Sequence, residues 1–179
     1  MPNTKPFTHQ LIQNAYVVRD IDEAVKRWHA LWGIGPFFVR RHIDMPHVLY
    51  RGAASSIDMS AVYVQAGPIQ VELVQQHCDT PSPFRDMFPA GQEGLHHVAV
   101  VPDDYAQLLA HYARLGFPVA GEIRTAGGRG AAFIDTRPML GHMMEVYMPG
   151  DGIPALYRKV ADAAASWDRR ALTIELDRA

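Results

Sequence analysis

The sequence predicts an α+β fold in which two tandem βαβββ modules form a curved mixed sheet around a central cavity, with a C-terminal helix appended. Three observations predict it. A strand-like phrase ending in aspartate occurs twice, Gln13-Asn14-Ala15-Tyr16-Val17-Val18-Arg19-Asp20 and His97-Val98-Ala99-Val100-Val101-Pro102-Asp103-Asp104. Each aspartate opens a stretch of helically spaced apolar residues that stops at a glycine, and each glycine is followed by short β-type runs separated by turn signals. An internal repeat constrains architecture more firmly than local propensity does.

In the first copy Asp20, with Glu23 three positions later, has the pattern of a capping box, and Ile21, Val25, Trp28 and Trp32 mark one helix face ending at Gly33. Strand-like runs follow at 37–43, about 47–51, 57–65 and 69–75, with Gly67-Pro68 turning between the last two. The segment 78–94 carries three prolines and two glycines and reads as the joint between module one (about 10–77) and module two (about 95–150). In the second copy Asp104 and Gln107 repeat the cap, Leu108, Leu109, Tyr112 and Leu115 repeat the face, and Gly116 ends it. The offset between copies changes there from 84 to 83, so one residue has been gained or lost within the helix. Runs at 117–124, 130–135 and 142–147 complete the copy, divided by Gly127-Gly128 and Arg137-Pro138. Gly127-Gly128-Arg129-Gly130 precedes a strand rather than a helix, which makes it a hairpin turn and not a phosphate loop. The tail at about 153–168 places Ile153, Leu156, Tyr157, Val160, Ala164 and Trp167 on one helical face, with Pro154 in the first turn. It is expected to pack on the outside of the sheet or on a partner subunit. Either module alone would expose a large apolar face, so residues 1–179 are read as a single domain.

Composition bounds the function. The chain has 179 residues, 48% of them hydrophobic and 20% charged, with a formal net charge of −2, which matches an ordinary globular protein and lacks the positive excess that favours nucleic acid. The single cysteine, Cys78, supports neither an internal disulfide nor a thiolate cluster. Any metal is therefore expected to use nitrogen and oxygen ligands. No run approaches 18 apolar residues, and positions 1–13 are too polar for a signal-peptide core, so a cytoplasmic protein without membrane contact is expected.

Side chains alternate across a strand, so parity tells which residues share a face. Gln13 lies with Ala15 and Val17, Glu72 with Gln70 and Val74, His97 with Ala99, and Glu145 with Met143 and Tyr147. If helices cover one side of the sheet, Gln13, Glu72, His97 and Glu145 project from the other, concave side. Two carboxylates facing one cavity repel unless something positive sits between them. A divalent cation offsets both charges, and this set of hard and borderline donors suits Zn, Ni, Co, Mn or Fe. For each carboxylate the competing reading is the solvent-facing half of an alternating strand, and for Gln13 it is a hydrogen-bonding sheet residue. Recurrence of the carboxylate in both copies favours the site. His96 and His142 have the opposite parity, which in regular strands points them away from the metal, and they are expected to support the ligands from behind or to lie at an interface. His9, His29, His42, His47, His77 and His111 show no paired metal spacing.

The paired βαβββ copies, the phrase 15–20, the Gly94-Leu95-His96-His97 start of copy two and Gly141-His142-Met143-Met144-Glu145 together resemble the vicinal oxygen chelate superfamily, in particular its glyoxalase-like and methylmalonyl-CoA epimerase-like branch. The resemblance spans about residues 10–150, with a Trp167-Asp168 pair near the end of the tail helix. It implies metal ligation by Gln13, Glu72, His97 and Glu145, with glutamine where many members have histidine. It further implies one divalent ion, and a substrate with vicinal oxygens that loses a proton α to a carbonyl through an enediolate. Glu145 or Glu72 would serve as the base. Tyr63, Phe133, Met143 and Tyr147 are expected on the pocket walls, and a homodimer is expected as the assembly. Two alternatives stand beside the isomerase or lyase. One is a non-catalytic small-molecule binder of the drug-sequestering type. The other is an Fe-dependent extradiol dioxygenase, disfavoured because that chemistry normally uses two histidines and one carboxylate.

Overall fold

The elements follow the repeat. The computed structural model describes residues 9–150 and 152–178; most of the polar stretch at 1–13 lies outside them. Module one runs β1 (Leu11–Val17), α1 (Ile21–Trp32), β2 (Phe37–Arg40), β3 (His47–Tyr50), β4 (Ala53–Ala54), β5 (Met59–Ala66) and β6 (Ile69–Gln76). A short helix, α2 (Pro83–Met87), precedes module two: β7 (Gly94–Val100), α3 (Tyr105–Arg114), β8 (Val119–Arg124), β9 (Gly130–Ile134), α4 (Arg137–Leu140) and β10 (Met143–Tyr147). The tail forms α5 (Gly152–Ala165) and β11 (Thr173–Glu175). The two repeated helices, α1 and α3, start as their sequences require. The Asp20 carboxylate accepts the Glu23 amide and the Asp104 carboxylate accepts the Gln107 amide, each at 2.9 Å.

One curved, unclosed sheet of eleven strands runs through both modules in the order β11-β2-β5-β6-β1-β7-β10-β9-β8-β3-β4. At its centre β1 pairs antiparallel with β7, while β6 lies parallel to β1 and β10 parallel to β7. The register is two-fold symmetric: Gln13 pairs with Ala99 and Ala15 with His97, and on the flanks Ala15 pairs with Glu72 and Ala99 with Glu145. Helix α1 covers a cluster containing Val25, Phe37, Val62 and Leu73, and α3 covers one containing Val98, Leu108, Ile134 and Val146. The opposite parity, Val17, Phe38, Tyr63, Val74, Phe133 and Met143, forms the concave core.

Four departures from the sequence reading have physical causes. First, β3 carries only the two-residue β4 on one edge and on the other joins β8 of the second module, Val48 opposite Ile123. The chain thus passes from β2 at one end of the sheet to β3 near the other through only six residues, 41–46. Fully extended, that span reaches about 25 Å, so the sheet must curl. The crossing segment is tied on both sides, the Ile43 amide donating to the Met59 carbonyl and the Ala126 amide to the Asp44 carbonyl, each at 2.9 Å. Second, α5 packs on the concave face and not outside: Leu156 and Val160 belong to the same cluster as Tyr63, Phe133 and Met143. Third, the tail returns as β11, parallel to β2 with Thr173 opposite Phe37. Trp167 seats on Gly35, where a Cβ would lie 2.5 Å from the indole, so that close approach requires glycine. Fourth, the inter-module segment is part of the core. Ser82 caps α2 with Pro83 in its first turn, and Phe84 is buried on the concave side. Similarly Arg137-Pro138 opens the short helix α4 and not a simple turn.

Because Phe84 fills the concave core from outside both repeats, Phe84→Ala is expected to destabilise the fold by about 3–5 kcal/mol, measured by urea denaturation. An effect below ~1 kcal/mol would mean that α2 is a detachable joint.

Candidate metal centre

Glu72 on β6, His97 on β7 and Glu145 on β10 meet on the concave face, with one potential ligand atom from each lying within 4.8 Å of the others. His97 Nε2 stands 3.1 Å from Glu145 Oε2 and 3.5 Å from Glu72 Oε2, and all three side chains are buried. Neither His97 Nε2 nor Glu145 Oε2 makes a well-formed hydrogen bond despite full burial. His97 Nε2 lies within ion-pair distance of both carboxylates. Gln13 is also fully buried on this face, but its amide is engaged: Nε2 donates to Gln70 Oε1, and Oε1 accepts from the Tyr147 hydroxyl, both at 2.8 Å.

The neighbouring histidine sets the orientation of the ring. His96 Nε2 lies 3.0 Å from the Pro83 carbonyl, which can only accept, so that nitrogen carries the proton. Burial, reinforced by His97, holds the His96 pKa well below the ordinary imidazole range, so the ring is neutral and its Nδ1 is an acceptor. His97 Nδ1, 2.8 Å away, must then be the donor. This relay leaves His97 Nε2 directed at the two carboxylates, the arrangement in which a hydrogen bond at one ring nitrogen prepares the other as a metal ligand. Parity alone places His96 on the other face. It turns inward because β7 is bulged there: Ala15 pairs with His97 but Tyr16 with Leu95, which leaves His96 as the extra residue. Phe84 packs on the His96 ring at 4.6 Å between centroids.

The electrostatics of the three side chains favour a cation. Burial works against charge on His97, but Glu145 and then Glu72 outweigh it and hold the imidazolium up to about 9. Burial raises Glu72, which His97 and Tyr63 oppose and the Glu145 charge reinforces. Among the three converging side chains, two carboxylates outnumber one imidazolium. A divalent ion with neutral His97 balances the two carboxylates, and two carboxylate oxygens with one imidazole nitrogen form a set suited to a borderline or hard divalent metal. On this ground the donors fit such an ion.

The adjoining cavity, about 50 Å³, is lined by residues of both modules and the tail, including Arg40, Tyr63, Arg129, Tyr147, Leu156 and Tyr157 as well as Glu72 and Glu145. Of the expected wall residues Tyr63 and Tyr147 reach it, whereas Phe133 and Met143 are packed beneath on the same face, with Phe133 5.3 Å from His97 between ring centroids. Arg40 and Arg129 carry no periodic signal, and the helical spacing that puts Tyr157 on the apolar face of the tail does not say which cavity that face meets. All three reach the cavity through the curl of the sheet and the inward placement of α5. His142 stays apart, its Nδ1 facing the Met143 carbonyl at 2.8 Å.

A family model described as the Glyoxalase/Bleomycin resistance protein/Dioxygenase superfamily matches residues 12–133. The chain belongs to that superfamily. Among solved structures it is similar to a hypothetical protein from Bacillus halodurans C-125 (TM-score 0.56, 15% identity, 80% of this chain and 96% of that one). It is also similar to methylmalonyl-CoA epimerase from Mycobacterium tuberculosis (0.53, 17%, 87% and 97%). A third similar structure is a Streptomyces coelicolor methylmalonyl-CoA epimerase variant in complex with 2-nitronate-propionyl-CoA (0.52, 16%, 79% and 96%). These likenesses concern the fold. Among curated proteins none matches the chain in sequence. No helix among the described residues is long and apolar enough to cross a membrane.

Two expectations follow. His96→Leu removes the acceptor that fixes His97 and is expected to weaken divalent-metal affinity about 10- to 100-fold, measured by calorimetric titration; unchanged affinity would remove the relay from the account. In metal-free protein the raised His97 pKa stabilises the fold fully below about 6.5, the unfolded value, and that contribution is lost as pH rises through about 9. Thermal stability without metal is therefore expected to fall between these limits and that of His97→Gln to stay flatter, by calorimetry across the range.

Proposed function

We propose that the protein is a divalent-metal-dependent isomerase or lyase of the glyoxalase and epimerase type, moving a proton at a carbon α to a carbonyl. The observation that carries this reading is the convergence of buried, unsaturated His97 Nε2 and Glu145 Oε2 with Glu72 at the floor of a cavity. The ligands in the proposal are Glu72, His97 and Glu145, with Gln13 contributing through the remaining lone pair of its amide oxygen. When bound, the ion supplies Lewis-acid polarisation of the substrate carbonyl.

Glu145 is the base in this proposal. The two carboxylates occupy equivalent positions in the modules but face different ladder partners: Tyr63 stands opposite Glu72, and Phe133 stands opposite Glu145. Tyr63 favours the charged form of Glu72 and helps to hold it as a ligand. Glu145 has no hydroxyl across from it, and in this proposal its carboxylate loosens from the ligand set to take and return a proton. Burial keeps the Tyr63 and Tyr147 hydroxyls neutral by pushing both well above the ordinary phenol range. They serve as donors and not as bases. Tyr147 also holds Gln13 in place. The enclosure keeps water from competing for the proton.

The walls support one substrate class. About 50 Å³ accommodates the reacting carbons and little else, so in this proposal the rest of the molecule lies outside the cavity. Arg40 and Arg129 line this cavity and favour a substrate carrying a carboxylate or phosphate. The likeness to methylmalonyl-CoA epimerases adds acyl thioesters to the 2-hydroxycarbonyl and hemithioacetal compounds to be screened. A symmetric homodimer and a cytoplasmic location complete the proposal.

The test is exchange of the substrate α-proton with D₂O, followed by NMR, in protein loaded with each divalent metal in turn. Exchange is expected with the loaded protein and is expected to fall by about 10²- to 10⁴-fold in Glu145→Gln. Binding of such compounds without exchange in any metal form would replace the enzyme by a non-catalytic binder.

A further inference from the structure

We infer that the chain carries a second metal site, outside the cavity, formed by His42, Asp58 and His77 at one end of the module-one sheet. The three residues are far apart in sequence, and neither histidine belongs to a spacing that signals a metal. The sheet unites them. His42 lies just past the end of β2, Asp58 just before β5 and His77 just after β6, and these strands are antiparallel neighbours. Their three ends therefore fall side by side, and one potential ligand atom from each lies within 4.8 Å of the others.

Several contacts hold the donors in this arrangement. His42 adopts a left-handed backbone conformation, φ 46°, which is uncommon for a non-glycine residue. Its amide is held there by the hydroxyl of Ser60 at 3.0 Å, and the same hydroxyl, itself buried, meets His77 Nε2 at 2.8 Å. One buried oxygen thus fixes both the backbone of the first histidine and the ring of the second, and leaves Nδ1 as the remaining nitrogen of His77. A hydrogen bond of this kind at one ring nitrogen is the usual companion of metal ligation at the other. The two rings stack at 4.4 Å between centroids with 27° between their planes, so their edges lie side by side. Asp58 is positioned through its backbone, its amide donating to Cys78 Sγ at 3.4 Å and its carbonyl accepting the His77 amide at 2.8 Å. His42 Nδ1 and Asp58 Oδ1 are 2.7 Å apart. An ion between them needs this gap to open only to about 3.0–3.4 Å, given metal–ligand bonds of about 2.0–2.2 Å.

Two imidazoles and one carboxylate, with water free to complete the coordination of an exposed ion, suit Zn²⁺ and similar divalent metals. The site clasps the start of the crossing segment 41–46 to the ends of β5 and β6. Ile43 and Met59, each next in sequence to a ligand, line the cavity. An ion here braces that wall without touching the reacting atoms.

The test is Zn²⁺ titration of untagged protein by calorimetry, with ring ¹⁵N NMR as the local readout. All three ligands are on the surface, so the variants are expected to fold, which far-UV circular dichroism checks. In Glu145→Gln, Zn²⁺ is expected to shift the ring nitrogens of His42 and His77 and to raise the melting temperature. In His42→Ala and His77→Ala, this binding is expected to weaken at least about tenfold, with the cavity site unaffected. Absence of Zn²⁺-dependent ring shifts in Glu145→Gln would overturn the inference, and so would unchanged affinity in both histidine variants. If the wild type binds one ion that is lost only in Glu145→Gln, the surface site fails and the cavity site stands. If that ion is lost only in His77→Ala, the cavity site fails and the surface site stands.

Discussion

The antiparallel ladder between β1 and β7 places Ala15 opposite His97 and Ala99 opposite Gln13, and the parallel strands on either flank bring Glu72 beside Ala15 and Glu145 beside Ala99. Both alanines are fully buried on the concave face. A larger side chain at either position would occupy the space into which the four polar residues point, so the small residues form the floor on which donors from three strands converge. Since side chains alternate with period two, a slip of one residue in this ladder would send the donors to the helix side. The crossing segment 41–46, which curls the sheet, and α5, which closes its concave face, convert that floor into an enclosure.

Enclosure makes the charges consequential. In water Glu72 and Glu145 would repel each other weakly, but away from water they hold a proton on His97 up to about 9, and burial, with Glu145 adding to it, raises Glu72. A proton is therefore the metal's competitor at this site, and a divalent ion is the species that balances both carboxylates at once. The Pro83–His96–His97 relay adds direction to that charge, and it depends on the inter-module segment, because the carbonyl that starts it belongs to α2.

The sequence made the symmetric part of this structure legible. Two capped helices, the strands that flank them and the shared face of Glu72, His97 and Glu145 all follow from periodicity repeated in two copies, and the mixed α+β sheet with a C-terminal helix follows from the same pattern. What escaped was whatever breaks the repeat. Parity fails at His96 because a bulge adds one residue to β7, and no local pattern marks it. The amphipathic face of α5 reports that the helix is buried on one side but not on which side of the sheet. The strand β11 is three residues long in a polar tail and exists by pairing with β2. The meeting of His42 with His77 depends on neighbouring strand ends, a relation that linear spacing does not encode. The alternation that identified Gln13 as inward-facing also left open its role, and its amide is bonded to Gln70 and Tyr147.

The most direct test of the central claim is an anomalous difference map from crystals of protein loaded with Zn²⁺. The account predicts a peak about 2.0–2.2 Å from His97 Nε2 and from one carboxylate oxygen each of Glu72 and Glu145. A map without density at that point, with His97 lying in a direct hydrogen bond to Glu145, would contradict it.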